Sequence, residues 1–221
     1  MSGGRLRAAP VLVCTLVGVV ALAGCGVDRP DTFVPPVRTV RITIPGCGLA
    51  DEIATGFAVG DGLVVTAAHP LAGTGAITVD GAAARAVLVD HRADVALLAV
   101  GTPGSGLPAL RPAVVGEPVT VRRLRKDTPD SLTGSVLKVL TIRFHDLVAG
   151  TTNVRLGLVL AAEAIGGDSG AAVVGADGRV LGLIFASARD VDAQSFAVSS
   201  LELADAFAHR DDGAPVDRGS C

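Results

Sequence analysis

From residue 38 onward, apolar residues come in short bursts broken by glycine-bearing turns, and only the stretch after residue 200 carries helical spacing. The bursts predict strands over 38–44, 56–59, 63–66, 76–80, 85–90 and 94–100, with Asp61-Gly62 and Asp80-Gly81 as hairpin signals. Six short strands in so little chain make a small closed barrel. The run from Gly101 through Pro103 to Gly106 breaks the pattern, so 101–112 reads as a crossing. A second set follows over 119–123, 135–144, 153–160, 171–175, 179–186 and 196–199, with Asp177-Gly178 as the turn of a hairpin. Residues 201–209 then carry apolar positions at 203, 204, 207 and 208, and Ser199 or Ser200 is placed to cap that helix. The expected fold is all-β: one six-stranded antiparallel barrel over about 38–100, a second over about 113–199, and a C-terminal α-helix at 200–209.

The first residues change the picture of where this domain sits. Arg5 and Arg7 precede an apolar stretch from Val11 to Leu22 that is too short for a membrane span and fits a secretory leader. Leu22-Ala23-Gly24-Cys25 resembles the lipobox of bacterial lipoproteins, in which the leader, here 1–24, is removed and the cysteine is acylated. The other reading is a plain leader cleaved near Ala23. Acyl chains on Cys25 would hold the protein on the extracytoplasmic face of the cell membrane, and the proline-bearing stretch within 25–37 would be a semi-rigid tether. Cys14 is lost with the leader; with Cys25 lipidated, Cys47 and Cys221 remain as one disulfide pair in an oxidising compartment.

Removing the leader leaves a net charge of about -5, and the chain has no Trp or Tyr. No basic patch or stacking platform favours nucleic acid. The histidines are scattered and the cysteines lack paired local spacing, so neither a metal site nor any other cofactor is expected.

Candidate chemistry converges on Gly166-Gly167-Asp168-Ser169-Gly170, which runs into an apolar strand. A serine pinned between glycines on a tight turn exposes its hydroxyl, and the N–H groups of Gly167 and Ser169 can converge on a developing oxyanion. His69 ends a buried strand through Thr66-Ala67-Ala68-His69, and Asp94 opens the apolar run that follows it, Val95 to Val100. A carboxylate there would orient the imidazole and stabilise its protonated form when the serine loses its proton. His91, His145 and His209 lack such context and read as surface residues.

These segments resemble those of the trypsin-like (chymotrypsin-fold) serine peptidases. The family strings TAAH, D-[IV]-A-L-L and GDSGG read here as Thr66 to His69, Asp94 to Leu98 and Gly167 to Ala171, with Ala171 in place of the last glycine. The compact size and Ser195-Phe196-Ala197-Val198 look most like the bacterial high-temperature-requirement peptidases and the membrane-tethered acid-resistance peptidases of actinobacteria. The resemblance implies a serine endopeptidase acting on peptides or proteins, with catalytic His69, Asp94 and Ser169. It also implies a specificity pocket with Glu163 at its floor and the strand Phe185, Ala186 and Ser187 along the substrate backbone. Glu163 either attracts basic side chains there or turns outward. No sequence like a trypsin activation N-terminus occurs, so Asp168 is expected to be held by another donor. A peptidase-fold lipoprotein that binds rather than cleaves, and an esterase using the same triad, are the competing functions.

Overall fold

The computed structural model describes residues 36–45, 50–60, 62–73, 75–101, 107–145, 151–188, 193–209 and 216–219. Cys25, Cys47 and Cys221, and with them the expected lipidation and disulfide, lie outside these residues, as do the leader and nearly all of the tether.

Two six-stranded antiparallel sheets account for most of the described chain. The first contains β1 (Arg38–Pro45), β2 (Asp51–Gly60), β3 (Leu63–Thr66), β4 (Ile77–Val79), β5 (Ala82–Asp90) and β6 (Val95–Val100). It closes into a barrel in the order β1-β2-β3-β6-β5-β4, sealed where Ile42 of β1 faces Val79 of β4. The second contains β7 (Pro118–Arg125), β8 (Thr128–His145), β9 (Thr152–Leu160), β10 (Ala172–Gly175), β11 (Val180–Ser187) and β12 (Ser195–Ser199). It closes in the order β10-β11-β12-β9-β8-β7, with Val173 facing Val121 across the seam. The expected strands are all present. The main differences are longer β2, β7 and β8, the last two meeting at a two-residue turn where Lys126 and Asp127 both have positive φ, and a short 3-10 turn at His69–Leu71.

Apolar runs such as Leu63-Val64-Val65 and Val95 to Val100 are explained by burial on both faces. In β3, Val64 points into the first barrel, whereas Leu63 and Val65 point to the layer between the barrels. In β6, Ala96 and Leu98 go inward, and Val95, Leu97 and Ala99 go to the same shared layer. On the other side, Val173 belongs to the second barrel's interior while Ala172 and Val174 meet the shared layer. One continuous apolar contact surface therefore fixes the two barrels against each other.

The helix α1 (Ser200–Ala208) adds Leu203, Ala206 and Phe207 to that layer, so its buried face is 203, 206 and 207 rather than the expected set; Ala204 and Ala208 are exposed. Ser199 accepts the N–H of Glu202, a cap of the S-x-x-E kind. The neighbouring Ser200 hydroxyl instead donates to the carbonyl of Arg111 at 2.6 Å.

Candidate active site

His69 and Asp94 are brought together by strand pairing. β3 and β6 run antiparallel with Thr66 opposite Ala96, so the residues just past the end of β3 meet those just before β6. The Ala68 N–H donates to the Asp94 carbonyl at 3.2 Å, and the His69 N–H donates to Asp94 Oδ1 at 2.8 Å. The His69 ring lies alongside the same carboxylate, with Nδ1 2.9 Å from Oδ2 and 3.1 Å from Oδ1. A carboxylate only accepts, so Nδ1 carries the proton, and in the neutral ring the lone pair is then on Nε2. Asp94 is buried and sits in the left-handed region at φ 58°, a conformation aspartate tolerates better than most residues.

Ser169 comes from the second barrel, on the turn that leads into β10, and that turn is docked on β2. The Thr55 N–H donates to the Ser169 carbonyl at 2.9 Å, and the Thr55 hydroxyl to the Gly167 carbonyl at 2.7 Å. The Thr66 hydroxyl donates to the Thr55 carbonyl at 2.8 Å, which ties the nucleophile turn back to the strand that leads to His69. His69 and Ser169 consequently line one cavity of about 410 Å³, together with Ile53, Pro70 and Gly167. Among the described residues neither the Gly167 nor the Ser169 N–H donates a hydrogen bond, while both carbonyls are engaged. Two backbone donors are thus left beside the Ser169 hydroxyl.

Asp168 is buried beneath the turn and has the donors the sequence left open. Arg125, at the end of β7, donates to both of its carboxylate oxygens at 2.9 and 3.3 Å, and the Ile165 N–H donates to Oδ2 at 2.9 Å. Arg123, two residues earlier on the same face of the strand, lies 3.6 Å from Oδ2. Ala171 is fully buried in the second barrel's core and its N–H donates to the Asp168 carbonyl, so a methyl group fits where the family string has glycine.

A second cavity, of about 260 Å³, opens on the other side of Ser169. It is lined by Ala164, Ile165, Ile184, Phe185, Ala186 and Ser187 among others, which brings the three residues expected along the substrate beside the serine. Glu163 is not part of that lining. It is exposed between buried Ala162 and Ala164, so the chain's alternation turns it outward, and its carbonyl accepts from Arg123 at 3.2 Å. Of the other histidines, His91 is half-buried with Nε2 3.2 Å from the Asp217 carbonyl, whereas His145 and His209 are exposed.

Three residues beside the site escaped the sequence reading: Thr55, Arg125 and Arg155. Arg155 lies in β9 with its side chain completely buried, its Nη1 3.5 Å from Asp94 Oδ2. A lone arginine inside the apolar strand Thr152–Leu160 was the available signal, because a guanidinium enters a core only with partners. No group of His, Cys, Asp and Glu able to hold a metal ion occurs among the described residues, and no described helix is long and apolar enough to cross a membrane.

The chain is similar to the serine protease Rv3671c of Mycobacterium tuberculosis (strain ATCC 25618 / H37Rv), at 29% identity over 195 residues that take in 85% of this chain and 49% of that protein. It spans about half the length of the curated relatives it matches. The crystal structure of the Rv3671c protease in its active form superposes with a TM-score of 0.72 at 25% identity, covering 83% of this chain and 85% of that one. The HtrA-type protease AlgW with a tripeptide shares the fold, with a TM-score of 0.61 at 18% identity over 77% of this chain and 60% of that one. Residues 54–183, more than half of the chain, match the family model for the trypsin-like peptidase domain, and the chain belongs to that family.

Proposed function

We propose that the protein is a serine endopeptidase that cleaves peptide bonds through an acyl-enzyme formed on Ser169. The observation that carries this reading is the shared cavity: an imidazole whose Nδ1–H is held by Asp94 lines the same space as a serine on a glycine turn. His69 Nε2 takes the hydroxyl proton as Ser169 attacks the carbonyl carbon, then returns it to the leaving amine. The Gly167 and Ser169 N–H groups hold the oxygen as it gains charge, and loss of one such donor typically costs about 3 kcal/mol in the transition state. Water repeats the sequence in reverse on the acyl-enzyme.

The cavity lined by Ala164, Ile165, Ile184, Phe185 and Ser187 is small and holds no charged side chain, which favours a compact uncharged side chain before the cut, and the outward Glu163 offers no charge to a basic one. The test is fluorophosphonate labelling together with cleavage of a peptide library by the domain from residue 38. Wild type is expected to label and to cut after small or medium uncharged residues, with both activities gone in Ser169→Ala. A wild type that stays unlabelled, or that cuts only after Arg and Lys, contradicts the respective half of the proposal.

The leader reading completes the proposal: the mature protein starts at Cys25, carries acyl chains there and works on the extracytoplasmic face of the cell membrane. Leu22-Ala23-Gly24-Cys25 and the apolar stretch before it support this. Incorporation of labelled palmitate, lost in Cys25→Ser, is the expected result; equal labelling of both would remove the assignment. A Cys47–Cys221 disulfide is part of the same picture. It is supported by described residues two positions from each cysteine that meet one loop: Pro45 lies against Gly75, and the Gly73 N–H donates to the Gly219 carbonyl.

A further inference from the structure

Burying a guanidinium is costly unless its charge and its N–H groups are met by the surroundings. Arg155 has no exposed side-chain surface, yet it stands at the boundary where β9 of the second barrel faces the Ala93–Asp94 turn of the first. Its Nη1 donates to the Ala93 carbonyl at 2.5 Å and lies 3.5 Å from Asp94 Oδ2, the same oxygen that sits 2.9 Å from His69 Nδ1. The guanidinium carbon lies 3.3 Å from the centroid of the Phe144 ring and 4.6 Å from that of Phe185, so the cation is held on two aromatic faces. Phe185 reaches it because β11 carries a bulge there: Ile184 pairs with Ala197 and Ala186 with Phe196, leaving Phe185 as the extra residue.

We infer that Arg155 is a positioning residue for the catalytic pair, a buried cation that fixes the Ala93–Asp94 turn from across the barrel boundary and offsets part of the Asp94 charge felt by His69. The inference rests on the peptidase reading given above. Two effects follow from the one placement. The first is geometric: the Asp94 carboxylate keeps its orientation toward the imidazole although its backbone is in the left-handed region. The second is electrostatic, since a carboxylate shared with a guanidinium stabilises an imidazolium less than an unshared one. His69 therefore stays in its neutral, proton-accepting form further into the acid range than Asp94 alone would allow. Among the described residues, Glu52 of β2 lines the same cavity as His69, and Asp168 on the nucleophile turn is compensated by Arg125. Neither is altered by changes at Arg155.

The test compares wild type with Arg155→Met, Arg155→Lys and Phe144→Leu, measuring kcat and KM on a peptide substrate across the acid range, with a thermal melt of each. Arg155→Met is expected to lower kcat by roughly 10-fold to 100-fold with KM within about 2-fold, as for a displaced catalytic group. Its acid limb is expected to move to higher pH by about half a unit to one unit. Arg155→Lys keeps the charge and is expected to restore the acid limb more than kcat, because an ammonium lacks the planar fork. Phe144→Leu leaves the cation but weakens its shelf, giving a smaller shift in the same direction, and it carries the test if Arg155→Met does not fold. A second readout needs no turnover: the His69 ring titration followed by NMR in Ser169→Ala, with and without Arg155→Met, is expected to show a higher midpoint in the double variant. An unlabelled, inactive wild type together with that NMR shift would sink the peptidase reading and leave the coupling standing. Unmoved acid limb and unmoved His69 titration in folded variants would overturn the role of Arg155.

Discussion

Gly170 shows how much of the site depends on single-atom clearances. Its φ is 90°, and a Cβ built on it would fall inside the contact distance of the Thr55 carbonyl oxygen and the Thr66 hydroxyl, the two groups that link β2 to β3 beneath the nucleophile turn. An added methyl group cannot push its nearest neighbour aside, because that neighbour is the Thr55 backbone oxygen. Gly170→Ala is therefore expected to combine left-handed strain with a steric block, costing at least ~2 kcal/mol of stability and lifting Ser169 away from His69. A lowered melting temperature with loss of fluorophosphonate labelling is the expected result; a variant that labels at the wild-type rate would show that the turn is not held as described. Ala171, one residue on, is the opposite case: its methyl is fully buried in the core of the second barrel, so the departure from the family string leaves the turn intact.

At the scale of elements, the β7–β8 hairpin supports the nucleophile from below. Pairing runs without a break from Pro118 opposite Ser135 to Arg125 opposite Thr128, and the positive-φ pair Lys126-Asp127 closes it as a two-residue turn. That pairing delivers Arg123 and Arg125 to the buried Asp168, and Arg41 of β1 meets Asp127 at the hairpin tip. Asp168 is thus compensated within the intact chain. Arg125→Met is expected to leave a buried carboxylate with only Arg123 and the Ile165 N–H, costing about 2 kcal/mol and lowering kcat/KM more than KM. Melting and steady-state kinetics on the uncleaved protein check this, and unchanged kinetics would mean the turn holds itself. The hairpin also marks the limit of what the sequence revealed. The twelve strands, His69, Asp94 and Ser169 were legible because apolar bursts, Asp-Gly turns and three local strings all lie within a few residues of chain. Thr55, Arg125 and Arg155 were not, because their roles arise only where one barrel or hairpin meets another. Lys126-Asp127 carries no glycine to signal its turn, and the choice between an inward and an outward Glu163 stayed open because a fixed offset from the serine ignores which way the intervening chain turns.

For the whole molecule, the question is what keeps two barrels in the relation that lets His69 and Ser169 share a cavity. The apolar layer supplies most of the contact, but it is non-directional, and the crossing between the barrels is fixed by a polar clamp at Arg111. The Arg111 N–H donates to the Val180 carbonyl and its own carbonyl accepts from Ser200, while the Val180 N–H donates to Ala109, so the crossing is stitched to β11 and to the start of α1. Its guanidinium holds Glu117 through two bonds, at 2.7 and 3.1 Å, and Asp177 of the β10–β11 turn at 2.7 Å. These bonds, made to the charged forms, hold the Glu117 and Asp177 carboxyls below their ordinary range and push the Arg111 guanidinium above its own. Carboxyls depressed in the folded state add stability that is fully present above the ordinary carboxylate range and is lost as pH falls through that range to their folded values. Both side chains keep solvent contact, so the clamp is worth about 1 kcal/mol at neutral pH, or about 3 °C in a domain of this size. Arg111→Met is expected to melt lower than wild type by that margin at neutral pH, with the gap closing below about pH 4 as both carboxyls protonate. Melting curves over that range decide it: a gap that stays constant into acid would assign the loss to packing of the arginine stem rather than to charge, and the crossing would then owe its position to the apolar layer and the bonds its backbone makes to β11 and α1.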